Sequence, residues 1–145
     1  MAGVRGSALT IQIPLRLLSA GFCETAEYLD DGQLLVVGAP RVYHLDPAAG
    51  SFELAPLSAF FVFTNCDPGE YLLRWRLTSP ADATLHALSD AHMLDWGPEA
   101  STHCAVVNLS GVISGSHGLK PGIYDFEFEI AGRPLTHLGF LVDFE

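Results

Sequence analysis

The 145-residue chain is one domain by its length, and a chain of that size buries about 70% of its unfolded surface, enough to need no disulfide or metal. Residues are 49% hydrophobic and only 17% charged, so either most strands are buried on both sides or another subunit covers part of the surface. Seven basic against seventeen acidic residues give a net charge of −10, and Lys120 is the only lysine; phosphate backbones are bound by Lys/Arg clusters, so the charge predicts neither nucleic acid nor an anionic membrane as a partner.

In chain order, residues 1–8 are expected to fray. Leu9, Ile11, Ile13, Leu15 and Leu17 then alternate with Thr10, Gln12, Pro14 and Arg16, the period of a half-buried strand. Pro14 lacks an N–H, which predicts a sheet edge or a bulge there. CETAEYLDD (23–31) reads as a polar connector closing in a turn at Asp31-Gly32, and QLLVVG and RVYHL read as two short strands separated by Gly38-Ala39-Pro40.

DPAAGS (46–51) reads as a turn. LSAFFVFTN (57–65), apolar on both faces, reads as a central strand, and YLLRWRLTS as a strand stopped by Pro80. Between Ala81 and Thr102 the reading is a strand near Thr84–Leu88 followed by a loop. HCAVVNLSGVI (103–113) is one strand and SGSHGLKPG a loop. The last two strands, Tyr124–Ile130 and Leu135–Phe144, are joined by a hairpin signal at Ala131-Gly132-Arg133-Pro134. Short strands at near-regular spacing, with Gly/Pro turns and no amphipathic helix, predict an all-β fold. The expected form is a single-domain immunoglobulin-like β-sandwich of eight or nine antiparallel strands over residues 9–145.

KPGIYDFEFEI (120–130) alternates two chemistries: Tyr124, Phe126, Phe128 and Ile130 against Asp125, Glu127 and Glu129. Its opening Pro121-Gly122-Ile123-Tyr124 echoes Pro68-Gly69-Glu70-Tyr71, whose strand presents Tyr71, Leu73, Trp75 and Leu77 on one side and Arg74 and Arg76 on the other. Opposite charges on neighbouring strands contribute about 0.2–1 kcal/mol per pair. With so few basic residues, the pattern predicts the two strands side by side, Arg74 and Arg76 facing Glu127 and Glu129. The carboxylates then select a neighbour and keep a face wet. Calcium fits poorly: alternate strand residues stand about 6–7 Å apart, and no D-x-D-x-D-G loop is present. A glycosidase pair lacks its cleft.

Other constellations are weaker. Among six histidines, His86, His92 and His103 fall near Cys104, but the spacing matches no zinc pattern. Cys23 has no Gly-rich surroundings, and Glu24 beside it would raise a thiol pKa. Ser116-His117 has no GxSxG context. Three cysteines, Cys23, Cys66 and Cys104, without CxxC spacing read as reduced thiols in a cytoplasmic protein. ALTIQIPLRLLSAGFC (8–23) fails as a leader because Arg16 interrupts it and no small-x-small site follows; Phe22 before Cys23 excludes a lipoprotein signal. Within Phe60-Phe61-Val62-Phe63, period two leaves one pair in the core and the other covered by a loop or a partner, and Phe61 and Phe63 are the candidate interface residues.

DDGQLLVVGAPRVYHL, LAPLSAFFVF, CDPGEYLLRWRLTSPAD and LKPGIYDFEFEIAGRPLTHLGFLVDF together resemble a family of small bacterial β-sandwich proteins with two PGxY strands and no established activity. The resemblance implies a fold and no catalytic residue; Ala131-Gly132 stands where that family has Asp-Gly. The expected function is a non-enzymatic binding or assembly module, self-associating through an apolar strand face, with no cofactor, no metal, and a partner that is protein, itself above all. The alternative is a hydrolase or metal-dependent enzyme with a His/Cys site in the loops. A carbohydrate-stacking module is poorly supported, since Trp75 alternates inward and leaves Trp96 alone.

Overall fold

The computed structural model describes residues 15–29, 34–38, 42–46, 51–65, 67–78, 89–98, 102–114 and 121–144. Every regular element among them is a strand: β1 Arg16–Cys23, β2 Thr25–Tyr28, β3 Leu34–Val37, β4 Tyr43–Leu45, β5 Ser51–Leu54, β6 Ser58–Thr64, β7 Gly69–Thr78, β8 Ser89–Trp96, β9 Thr102–Asn108, β10 Gly111–Ser114, β11 Gly122–Ile130 and β12 Arg133–Phe144. A three-stranded sheet runs β1-β6-β9 and a five-stranded sheet β4-β12-β11-β7-β8, with two-stranded pairs β10-β5 and β2-β3 beside them.

The core lies between the two larger sheets, because alternation sends one apolar set of each strand to a common interior. Phe61 of β6 meets Phe128 of β11 edge-on at 4.9 Å. Phe22 of β1 meets Phe126 at 6.1 Å and Phe140 of β12 at 6.0 Å. Phe63 lies 5.3 Å from Trp96 of β8. Edge-to-face and tilted rings at these spacings gain beyond area burial alone.

The echoed Pro-Gly pairs share a backbone as well as a sequence. Gly69 has φ 141° and Gly122 φ 138°, a region open to glycine and costly for any residue with a Cβ. Each glycine thus starts its strand with the following tyrosine directed inward, Tyr124 fully buried and Tyr71 partly. The hairpin between β11 and β12 turns on Ala131 (φ 52°) and Gly132 (φ 79°), both positive as a two-residue type I′ turn requires.

Several expectations are corrected. The described strands exceed eight or nine, and they are not all antiparallel, since β4 pairs with β12 in parallel. The "connector" after Cys23 contains β2, paired with β3. Residues 89–96, expected as loop, form β8, which the register with β7 holds over Gly69–Arg76. The 103–113 strand is two strands: β9 pairs with β6, while β10 leaves to pair with β5, a strand absent from the sequence reading. The break falls at Leu109-Ser110, where Ser110 Oγ accepts the Leu57 N–H at 3.0 Å and Asn108 Oδ1 accepts the Ser110 N–H at 2.9 Å. These side-chain bonds replace ladder bonds, as short polar side chains do where a strand ends. The expected strand at 9–14, the strand at 84–88 and the frayed 1–8 lie outside the described residues.

Candidate functional site

The acidic side of β11 lies in the middle of the five-stranded sheet, and pairing sets its neighbours. Glu127 faces Arg76 on β7 and His137 on β12; Glu129 faces Arg74 and Pro134; Asp125 faces Thr78 and Gly139. On the far side of β7, Arg76 faces Ser89 and Arg74 faces Ala91 of β8. Two cross-strand rows result, Ser89–Arg76–Glu127–His137 and Ala91–Arg74–Glu129–Pro134. They line a concavity of about 610 Å³ with Asp90 at its edge.

One of the two expected ion pairs is closed. Arg76 donates from Nε at 2.9 Å and Nη2 at 2.7 Å, both to Glu127 Oε1. The side chains are 54% and 30% exposed, so solvent screens the pair and it contributes less than about 1 kcal/mol. Arg74 and Glu129 stand in register without an ion pair among the described residues.

His137 is the residue that sequence reasoning missed. Its Nδ1–H donates to Asp125 Oδ2 at 2.7 Å. That hydrogen bond, with the negative charges of Asp125 and Glu127, raises the imidazole pKa above its usual value, against smaller opposing effects of desolvation and Arg76. A straight hairpin from the Ala131-Gly132 turn would put Thr136 opposite Glu127. The register shifts between Phe128 and Glu129, and the extra residue on β12, Leu135, advances His137 into that place. Gly139 lies opposite Asp125: a Cβ there would sit 3.2 Å from Ile123 Cγ2, a tight approach, and 3.8 Å from Asp125 Oδ1, an ordinary contact.

Donor atoms of Asp125, Glu127 and His137 lie within 4.8 Å of one another. Two carboxylates and an imidazole are a competent donor set for a divalent transition ion. Here Arg76 holds one Glu127 oxygen, and the His137 nitrogen nearest Asp125 holds a proton. The side chains neutralise one another, and a cation would have to displace both.

The other sequence candidates disperse. Phe61 and Phe63 are fully buried at 0% exposure, which corrects their reading as an interface. Period two identifies two apolar faces but not which one is inside. The opposite residue, Phe60, lies over Gly21, its ring 3.1 Å from where a Cβ would stand, and is half-buried on the outer face. His103 stacks on Trp96 at 5.0 Å and 9°, Cys104 points to the other side of β9 opposite Val62, and His92 is exposed on β8. The three do not converge. Cys23 is buried, and desolvation raises its thiol pKa and that of Cys104. Trp75 and Trp96 are both buried and supply no stacking platform. His86, Cys66, Ser116 and His117 lie outside the described residues.

No protein-family model matches the chain, and no curated protein matches it. Among solved structures the fold is similar to part of the Pseudomonas fluorescens alkylpurine DNA glycosylase AlkC bound to DNA containing an abasic site analog, with a TM-score of 0.51 and 10% identity over 94% of this chain. The chain spans 33% of that protein's length. This finding corrects the partner expectation, since a protein sharing this fold is bound to DNA. Arg74 and Arg76 stand exposed on one face of the five-stranded sheet although the chain carries a net charge of −10. The self-association argument loses its residues with the burial of Phe61 and Phe63. At 10% identity the likeness is one of fold: an all-β domain shared with a third of a larger DNA-bound enzyme.

Proposed function

We propose that this chain is a non-catalytic binding module, an immunoglobulin-like sandwich whose recognition surface is the outer face of the five-stranded sheet. The observation that carries the reading is the concavity of about 610 Å³ lined by Arg74, Arg76, Glu127, Glu129 and His137. These side chains stand on three contiguous strands, β12, β11 and β7, and sites on regular elements hold their geometry better than sites on loops. The groups present both signs of charge and are suited to orienting a ligand. None is a nucleophile set against a base. The resemblance to the two-PGxY family implies a fold without catalytic residues, and free thiols at Cys23 and Cys104 suit a cytoplasmic setting.

The test is amide chemical-shift mapping with a panel of basic and acidic peptides and a duplex containing an abasic-site analogue. Perturbations that cluster on Arg74, Arg76, Glu127 and His137, and are lost in an Arg74→Ala/Glu127→Gln variant that stays folded, are the expected result. Perturbations confined to other surfaces, or turnover of any substrate abolished by His137→Ala, would overturn it.

A second reading, contact with nucleic acid through Arg74 and Arg76, is favoured by the DNA-bound structure of similar fold. It predicts affinity for the duplex that falls steeply with salt, since each neutralised phosphate releases counterions. The metal-dependent alternative moves from the His/Cys loops to Asp125, Glu127 and His137, where Arg76 opposes it.

A further inference from the structure

We infer that β8 is a docking edge, at which an extended segment with basic residues on one side and apolar residues on the other adds as a further strand beside the concavity. The inference rests on the recognition surface proposed above, to which Ser89, Asp90 and Ala91 of this strand belong. Among the described residues β8 ends the five-stranded sheet. It pairs with β7 over eight consecutive positions without a register shift, and among the described residues no strand pairs with its other side. Natural edges are blunted by charged side chains, lysine above all, by proline or by a bulge; SDAHMLDW has no lysine, proline or bulge, and its charges are the two acids Asp90 and Asp95. Ser89 to Met93 are all exposed, and the Ala91 N–H donates to the carboxylate of the adjacent Asp90 at 2.7 Å, a side chain taking the bond a strand partner would take.

Charge identifies the occupant. Asp95 faces Glu70 directly across β7 and β8, both exposed, and like charges placed opposite destabilise a sheet. β8 itself carries Asp90 and Asp95 and no lysine or arginine. An added strand with Lys or Arg beside Asp95 relieves that repulsion, and its aliphatic stems cover Met93, 50% exposed. Its alternate side chains face the other way, beside exposed Asp90 and His92 and buried Leu94 and Trp96, and apolar residues fit at the Leu94–Trp96 end. Main-chain bonds supply the affinity in this mode and the alternating side chains the selectivity.

The probe is a short synthetic peptide of alternating lysine and valine, compared with its glutamate–valine counterpart and with a version N-methylated at alternate residues. The lysine–valine peptide is expected to shift the β8 amides, and N-methylation to weaken it about tenfold or more. Ala91→Pro, which removes an edge donor, and Asp95→Lys are each expected to weaken it similarly, while Glu53→Lys on β5 leaves it unchanged. Ala91→Pro is scored only if its thermal transition stays cooperative; Asp95→Lys is decisive otherwise. Equal binding by the N-methylated peptide, or equal loss in Glu53→Lys, refutes strand addition. If the abasic duplex shifts the Arg74–Arg76 rows while the peptide leaves β8 unmoved, docking at β8 falls and the recognition surface stands. If no probe moves either, both fall.

Discussion

Replacing Phe61 by alanine tests whether the aromatic run of β6 is core or contact surface. Phe61 has no exposed area, meets Phe128 edge-on at 4.9 Å and stacks on Phe63 at 6.1 Å. Deleting such a ring costs the lost transfer energy plus a cavity, about 3–5 kcal/mol, and domains of this size carry about 5–15 kcal/mol in all. With a urea slope of about 2 kcal/mol/M, a loss of about 4 kcal/mol lowers the unfolding midpoint by about 2 M. Phe60→Ala is the matched control: its half-buried ring covers Gly21 on the outer face, and about 1–2 kcal/mol is expected from the smaller area removed from water. Equilibrium urea unfolding followed by tryptophan fluorescence measures both. Should Phe61→Ala not fold, Phe61→Leu keeps the same order against Phe60→Leu. A Phe61 variant with unchanged midpoint and altered sedimentation mass would mean that the ring sits between subunits, and the core assignment would be wrong.

A double-mutant cycle on Arg76→Ala and Glu127→Ala is expected to give a coupling of about 0.2–1 kcal/mol that shrinks with added salt; a coupling that ignored salt would show a desolvated pair. The C–H resonances of His137 are expected to titrate with a midpoint above the ordinary 6.5, moving down in Asp125→Asn. Because the folded-state value is raised, this group's stabilisation is fully present below the unfolded value and fades as pH climbs through the folded one. Stability profiles of the parent and His137→Gln chains should therefore converge above that midpoint, and parallel profiles throughout would refute the pairing. Gly139→Ala is expected to shift stability by less than about 1 kcal/mol, since the one tight neighbour is Cγ2 of Ile123, 68% exposed and able to turn aside. A larger loss in the urea midpoint would mean that Ile123 is held in place.

The adjacency of β7 and β11 was legible from local chemistry. Two arginines and two glutamates at period two, each strand opened by Pro-Gly-X-Tyr, matched each other because a strand displays its pattern on one face and can satisfy it only with a neighbour. The Arg76–Glu127 bond follows, as does the burial of Trp75, Phe126 and Phe128. Apolar residues on both faces likewise marked β6 as a central strand.

What local pattern could not carry was anything dependent on an insertion, an edge or an inside. His137 reaches Glu127 because Leu135 adds a residue to β12, and a bulge is a property of two paired strands, with no signal in either alone. β8 was unreadable because an edge strand pairs on one side and buries few residues, so its sequence lacks the alternation that marks a half-buried strand. Phe61 and Phe60 are equivalent by period, and the interior was assigned only when Phe128 arrived from the opposing sheet. Period is a one-dimensional property; which face is dry, and which side chains meet across it, depends on contacts between segments distant in the chain.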